Sequence, residues 1–308
     1  MNIDFNYKSY ETHKKHYKKN FDTEKINSWK SKKTIDYWRH ERMYSKLMPI
    51  IKAYPDSSWL TVGDGRFGTD ANYLLTNGIK NVLASDISDT YLEIAKRENF
   101  ILDYKLENAE NLSFENNTFD FVLCKEAYHH FPRPIIALYE MLRVAKNAVI
   151  LIEPQDGNIL SLSRLSLLKG FSILKQSFKN KIKCFFNRKP YNDYGSYEPV
   201  GNYIYTISER EIEKVALGLN YEMVSFYELN DHYIEGVEYE NVNENSKLFE
   251  EIRKEINNLD SKTQKGLIKA GLLISIIFKN IPSKECIIEL EKIGFENKTL
   301  TRNPYSKI

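Results

Sequence analysis

Residues 59–86 read WLTVGDGRFGTDANYLLTNGIKNVLASD, and the order of features along this stretch decides the fold. Trp59-Leu60-Thr61-Val62 is a short apolar run of the kind that forms a buried strand. A glycine turn, Gly63-Asp64-Gly65-Arg66-Phe67-Gly68, follows without a break. Thr69–Asn77 then has a helical pattern, and Gly78 stands where a left-handed cap ends a helix. Val82–Ser85 predicts a second apolar strand, closed by Asp86. Strand, glycine turn, helix, strand and acid make up half of a nucleotide-binding fold.

Gly63 and Gly65 permit backbone angles and a closeness of approach that a Cβ forbids. A ligand can therefore lie against the main chain at the carboxyl end of the first strand. Asp86 leaves the second strand at that same edge, where a carboxylate can accept both hydroxyls of a ribose. Gly63, Gly65 and Gly68 also satisfy G-x-G-x-x-G, with an acid roughly 20 residues further on, which is the dinucleotide fingerprint. By itself the stretch leaves a nicotinamide cofactor and another adenosine cofactor equally open.

Downstream the pattern continues. Ser88–Glu98 predicts a helix with Ser88 as N-cap and Tyr91, Leu92 and Ala95 inward. Ile101–Leu106 and Phe119–Cys124 predict the third and fourth strands, Ile135–Lys146 an amphipathic helix, and Ala148–Ile152 a fifth strand. Strands alternating with helices imply a parallel sheet covered on both faces. Ser208-Glu209-Arg210-Glu211 is a capping box, so a helix starts there and runs to about Leu219. Tyr221–Leu229 and Gly271–Lys279 predict strands, 238–265 a charged surface helix, and Pro282–Lys292 a last helix capped by Gly294. The tail beyond Gly294 has no assigned element.

The segments VGDGRFG, ASD, ENAENLSFENNTFDFVLCKEAYHHF and EMLRVAKNAVILIEP together resemble the class I S-adenosylmethionine-dependent methyltransferases. The nearest pattern is the broad small-molecule group that includes ubiquinone-biosynthesis-type enzymes. The resemblance covers residues 58–155 well and 204–280 loosely. It implies an α/β, three-layer Rossmann-like fold, with a mostly parallel seven-stranded sheet whose antiparallel strand is Gly271–Lys279. It also implies S-adenosyl-L-methionine as cofactor. Gly63, Asp64 and Gly65 would line the methionine end. Asp86 would bind the ribose hydroxyls, with Ile87 beside the adenine. Asn108 stands where the family often has an Asp that contacts the adenine amino group. Ala109 would offer its N–H to the adenine ring, and Glu110 follows it. Lys125 lies close to where the family meets the methionine carboxylate. Thr61 departs from the family, which commonly has an acid there to help hold the methionine ammonium. Another group must do this here, or binding is weaker.

Methyl transfer is an in-line displacement from a sulfonium that is already activated, so the protein mainly positions the acceptor. Orientation can supply roughly 7–11 kcal/mol of barrier lowering. A general base adds roughly 10²–10⁴-fold; a sugar hydroxyl needs one and a carboxylate acceptor does not. His129 and His130 are the best base candidates, because an imidazole titrates near neutral pH and both follow strand four on the cofactor edge. Glu126 is the third. A structural role, with one imidazole bonding a backbone group to orient the loop, competes with this reading. His232 follows a late strand as a further candidate for the acceptor side. Glu153 and Asp156 have no spacing that supports a metal site, and none is expected.

The organisation that follows is a helical N-terminal arm or lid over 1–56, a cofactor-binding core over 57–156, an inserted basic and aromatic cap over 157–205, and the rest of the core over 206–308. In the arm, Lys14, Lys15, Lys18 and Lys19 among His13, His16 and Tyr17 read either as a solvated helical face or as part of a lid whose Tyr37 and Trp38 touch substrate. Arg42, Met43, Leu47, Ile50 and Ile51 have helical spacing and should pack on the sheet. Between Asp156 and Asp193 there is no acid, and basic residues interleave with leucines and phenylalanines. That segment reads as a buried cap, as a binder of an anionic acceptor, or, through 157–190, as a peripheral contact with an anionic membrane. The tyrosines of 191–205 suit a polyhydroxylated acceptor.

Bulk properties narrow the rest. The chain has 308 residues, 42% hydrophobic and 28% charged, with a net charge of only +2, so nothing points to a nucleic-acid partner. Cys124, Cys184 and Cys286 are far apart and form no zinc or disulfide pattern, which suits a cytoplasmic setting. The first 20 residues lack the apolar core of a signal peptide, and no apolar run is long enough to span a bilayer. The expected activity is methyl transfer to oxygen of a sugar, glycan or other polar anionic small molecule. The rivals are an NAD(P)-dependent oxidoreductase and a non-catalytic cofactor-binding protein.

Overall fold

The computed structural model describes residues 10–12, 14–15, 23–156 and 203–306. The basic segment 157–192, the tyrosine-rich loop 191–199, and His13, His16, Tyr17, Lys18 and Lys19 lie outside the described residues.

Eight strands form one sheet: β1 (Ser58–Val62), β2 (Asn81–Asp86), β3 (Asp103–Leu106), β4 (Phe119–Lys125), β5 (Ala145–Pro154), β6 (Met223–Leu229), β7 (Leu272–Phe278) and β8 (Glu296–Thr299). Their spatial order is β3-β2-β1-β4-β5-β7-β6-β8. The first five pair in parallel, whereas β7 is antiparallel to both β5 and β6. The sheet therefore has the expected mixed character, with one strand more than the seven expected. The additional strand is the tail beyond Gly294, where β8 pairs antiparallel with β6 along one edge. A polar four-residue strand, ENKT, carries no apolar alternation, so only the edge it meets reveals it.

Helices among the described residues include α1 (Thr23–Lys30), α2 (Ile35–Tyr44), α3 (Met48–Ala53), α4 (Thr69–Thr76), α5 (Thr90–Arg97), α6 (Pro134–Val144), α7 (Glu209–Gly218), α8 (Lys247–Gln264) and α9 (Lys284–Lys292). One face of the sheet packs Trp59, Phe121 and Ile150 against Met43, Leu47, Ile50 and Ile51 of the N-terminal arm. The other packs Leu60, Val122 and Val149 against Leu138 and Met141 of α6 and Ile212 of α7. With apolar groups on both faces, the central strands read as continuous hydrophobic runs.

Several boundaries move. The third strand begins at Asp103, because Ile101 belongs to the core beside Leu92 instead. Helix α6 ends at Val144, before the expected Lys146, and β5 starts at once with Ala145. Ser88 is not the N-cap of α5; that place falls to Asp89, while the Ser88 N–H donates to Asp86 Oδ1. The charged helix is confined to Lys247–Gln264, with Ser246 accepting from Phe249 N as its cap. Arg42 does not join the sheet core: its guanidinium donates to Asn230 O. The capping box holds, with Ser208 Oγ accepting from Glu211 N.

The chain leaves β1 toward β2 and β3 on one side and returns to β4 and β5 on the other. The connections that leave the carboxyl ends of β1 and β4 therefore run in opposite directions, and a crevice opens outside those ends. Among the described residues no helix is long and apolar enough to cross a membrane.

Candidate active site

A cavity of about 690 Å³ occupies that crevice, a size within the range of ligand pockets. Its floor is the glycine turn. Gly63 has φ +79°, and a Cβ there would meet Ala127 Cβ at 2.3 Å. Gly65 is needed for space: a Cβ on it would lie 2.7 Å from the carboxyl carbon of Asp86. The Gly65 N–H donates to Asp86 Oδ2 at 3.0 Å and the Ser88 N–H to Oδ1 at 2.8 Å. Burial nonetheless pushes the Asp86 carboxyl up to about 6, the backbone bonds opposing it. Ile87 and Ala109 line the cavity with this carboxylate, and Phe131 lines it near Gly63.

At the other end of the turn the polar groups are acids. Thr61 is fully buried and donates its hydroxyl to Asp64 Oδ2 at 2.8 Å. Asp64 also accepts from the N–H groups of Asp70 and Ala71 in the first turn of α4. Burial, together with the charge of Asp70, holds the Asp64 carboxyl well above its usual range. Lys125, at the end of β4, has its Nζ 3.0 Å from Glu126 Oε2 and 3.9 Å from Asp70 Oδ1. It thus faces the cavity between two carboxylates.

The loop after β4 brings His129 and His130 to the cavity, their ring centroids 3.9 Å apart. His129 Nδ1 lies 2.6 Å from Oε2 of Glu153, which is wholly buried at the end of β5. Glu153 Oε1 accepts from the N–H groups of Ala127 and Tyr128, both at 3.0 Å, so its position is fixed from both oxygens. With Glu153 as acceptor the Nδ1 of His129 carries the proton, so in the neutral ring the lone pair is on Nε2. Glu126 differs. Burial alone would raise its pKa, but Lys125 and His40 outweigh that and hold the carboxyl well below the usual range. It is a fixed anion, poorly suited to taking a proton.

The N-terminal arm forms the roof. Asp36, Arg39 and His40, on one face of α2, line the cavity with Trp29 of α1 and with Tyr233. Arg66 of the glycine turn pairs with Asp36, and its Nη1 is 2.5 Å from His40 Nε2. His40 Nδ1 is 3.2 Å from Glu126 Oε2. Of the two aromatic residues expected to touch substrate, Trp38 packs edge-on against Phe249, centroids 5.0 Å apart, and Tyr37 lines a small adjoining hollow that shares Trp29, Asp36, His40 and Arg66 with the cavity. Tyr233, rather than His232, is the residue of its loop that lines the cavity.

Asn108 and Glu110 are not among the cavity's lining groups. Asn108 Oδ1 accepts from Glu110 N, and Glu110 holds Arg133 through its N–H and guanidinium. Asn108 thereby shapes the turn that presents Ala109. Glu153 and Asp156 diverge, the latter accepting from the Thr206 hydroxyl, and no metal-holding cluster occurs among the described residues. Sequence reasoning missed Glu153 as the partner of His129, although both stand at strand ends on one sheet edge. It missed Asp70 and the Asp36–His40 face, which no local pattern marks.

The sheet defines a nucleoside-binding α/β fold with its ligand site at the switch point. It departs from the all-parallel dinucleotide order by the antiparallel β7 between β5 and β6, which tells against the dehydrogenase reading. Residues 60–152 match the family model described as "Methyltransferase domain". No curated protein matches the chain. Among solved structures it is similar to a SAM-dependent methyltransferase from Archaeoglobus fulgidus, with 15% identity over 78% of this chain and 94% of that one and a TM-score of 0.46. It is also similar to magnesium protoporphyrin IX methyltransferase from Synechocystis, with 14% identity over 77% and 83% and a TM-score of 0.41. The YcgJ protein from Bacillus subtilis is similar with 14% identity over 77% and 99% and a TM-score of 0.45. Residues 60–152 are a class I S-adenosylmethionine-dependent methyltransferase domain, and S-adenosylmethionine is its cofactor. The residues fit that molecule. The turn is too tight for a Cβ at Gly63 or Gly65, Asp86 offers spare lone pairs to ribose hydroxyls, and Ile87 and Ala109 give an adenine an apolar bed.

Proposed function

We propose that the chain transfers the methyl group to a hydroxyl oxygen of a polyhydroxylated small molecule, a sugar or glycan. The observation that carries this reading is the His129–Glu153 pair at the cavity wall. A hydroxyl must lose its proton as the new bond forms, and His129 is the proposed base, its ring held by Glu153, which would also stabilise the imidazolium. S-adenosylmethionine, when bound, supplies an electrophilic methyl on a sulfonium. The rest is orientation by the chain's own walls. Trp29 and Tyr233 also line the cavity, and amphipathic aromatic walls suit a hydroxylated ring.

An anionic acceptor is less well served by the described walls. Arg39, Arg66 and Lys125 are each paired with a carboxylate already. We therefore place hydroxyl recognition ahead of anion recognition. Within this reading residues 1–56 act as the roof, 57–156 and 206–308 as the core, and 157–205 as an inserted acceptor cap. The test is calorimetry with S-adenosylhomocysteine against NAD and NADP, followed by an acceptor panel read by mass gain of one methyl. Methylation of hydroxylated sugars supports the proposal; methylation of amines with sugars untouched overturns it.

A further inference from the structure

We propose that Asp70 is the group that holds the α-ammonium of the cofactor, in place of the acid that Thr61 does not supply. This rests on S-adenosylmethionine being the cofactor. That molecule has a nucleoside at one end and an α-amino acid at the other. Asp86, at the end of β2, serves the nucleoside end. The amino-acid end must then lie across the turn, toward β4 and the start of α4, where the cavity is walled by Asp64, Asp70 and Lys125.

Of the two acids, Asp64 is already engaged. Its oxygens accept from the Thr61 hydroxyl and from the N–H groups of Asp70 and Ala71, which anchor the glycine turn to α4. Asp70 is only 4% exposed, yet it is far less occupied. Its Oδ1 accepts from the Tyr44 hydroxyl at 2.5 Å and faces Lys125 at 3.9 Å. Among the described residues its Oδ2 has no hydrogen-bond partner. Asp70 lines the cavity, so a carboxylate oxygen with no protein donor there can accept a charge-assisted bond from a ligand ammonium.

Asp70 and Glu126 flank the Lys125 ammonium, with His40 and Arg66 completing the cluster around them. Burial pushes the Asp70 carboxyl upward, against Lys125 and the Tyr44 hydroxyl, and an ammonium at Oδ2 relieves that penalty. Thr61 cannot do the same work, because it is neutral and its hydroxyl is donated to Asp64.

The test uses two ligands on the full chain. S-adenosylhomocysteine carries the amino-acid end, and 5′-methylthioadenosine keeps the nucleoside and thioether but lacks it. Calorimetry with Asp70→Asn should raise the dissociation constant for S-adenosylhomocysteine roughly tenfold to a hundredfold and leave that for 5′-methylthioadenosine unchanged. Unchanged binding of the smaller ligand also reports that the variant is folded. Asp70→Ser is read in the same way, and Asp86→Asn should weaken both ligands together. Equal effects on the two ligands in both Asp70 variants, or no effect on either, would overturn the proposal. Wild-type protein that binds neither ligand would instead remove the cofactor assignment, and this inference with it.

Discussion

Glu153 Oε2 and His129 Nδ1 stand 2.6 Å apart, joining the ends of two neighbouring strands across the mouth of the cavity. A carboxylate that is wholly buried and also bonded to two backbone N–H groups cannot swing away, so the imidazole it holds has one orientation. His129→Ala should lower kcat by about 10²–10⁴-fold while the dissociation constant for S-adenosylhomocysteine stays within a few-fold. His130→Ala should cost far less. A larger loss at His130 than at His129 would move the base to the second imidazole.

Cofactor binding should depend on pH through Asp86. Its carboxyl titrates at about 6 in the folded chain, and only the ionised form accepts both ribose hydroxyls. Affinity for S-adenosylhomocysteine should therefore be level above that pH and fall as pH drops through it. Asp86→Asn should flatten the profile and weaken binding by about 1.5–3 kcal/mol. The effect on stability has the opposite sense. A carboxyl raised from 3.8 in the unfolded chain to about 6 when folded binds its proton more tightly in the native state. Its contribution to stability is full below about 4 and is lost as pH rises through 6. Denaturant midpoints measured at pH 5 and 7 on wild type and Asp86→Asn would expose the difference.

The two glycines of the turn should fail in different ways. Gly63→Ala combines φ +79° with a contact of 2.3 Å, so it should lower stability by about 1–3 kcal/mol, visible as a drop in Tm. Gly65 has no positive φ, and its Cβ would strike the Asp86 carboxylate. Gly65→Ala should therefore weaken cofactor binding roughly tenfold or more, with a smaller change in Tm. If Tm falls more for Gly65→Ala than for Gly63→Ala, the steric account of the turn is wrong.

Asp36 ties the roof to the floor through Arg66, and it also meets Arg39 and His40. Burial would raise its carboxyl, but His40 and Arg66 outweigh burial and hold it well below the usual 3.8. The sign is thus reversed from Asp86: the stability it contributes is present at neutral pH and is lost as pH falls below 3.8. Asp36→Asn should cost about 2 kcal/mol at pH 7, between the value of an exposed pair and that of a buried one, because Arg66 is 33% exposed. Urea unfolding at pH 7 and 3 measures it; an equal loss at both would show that the charge is not responsible.

Local chemistry was enough to read the turn at Gly63–Gly68, the acid at position 86, the strand at Phe119 and the buried strand at Leu272, whose antiparallel sense only the family resemblance implied. In each, chain neighbours carry the signal: an apolar run, a glycine where a Cβ has no room, a carboxylate at a strand end. Edge pairing, by contrast, made a strand of Glu296–Thr299, whose polar residues show no pattern alone.

Tertiary structure alone decided the site's polar wiring. Glu153 meets His129, Asp36 meets Arg66, and His40 meets Glu126 because separate strands and the N-terminal arm converge at one sheet edge. Such pairs act across space between groups that the chain keeps far apart, so spacing along the sequence holds no trace of them. The physical reason is the same for Asp70, whose Oδ1 meets the Tyr44 hydroxyl and faces Lys125 across the fold, contacts that the residues on either side of it do not foretell.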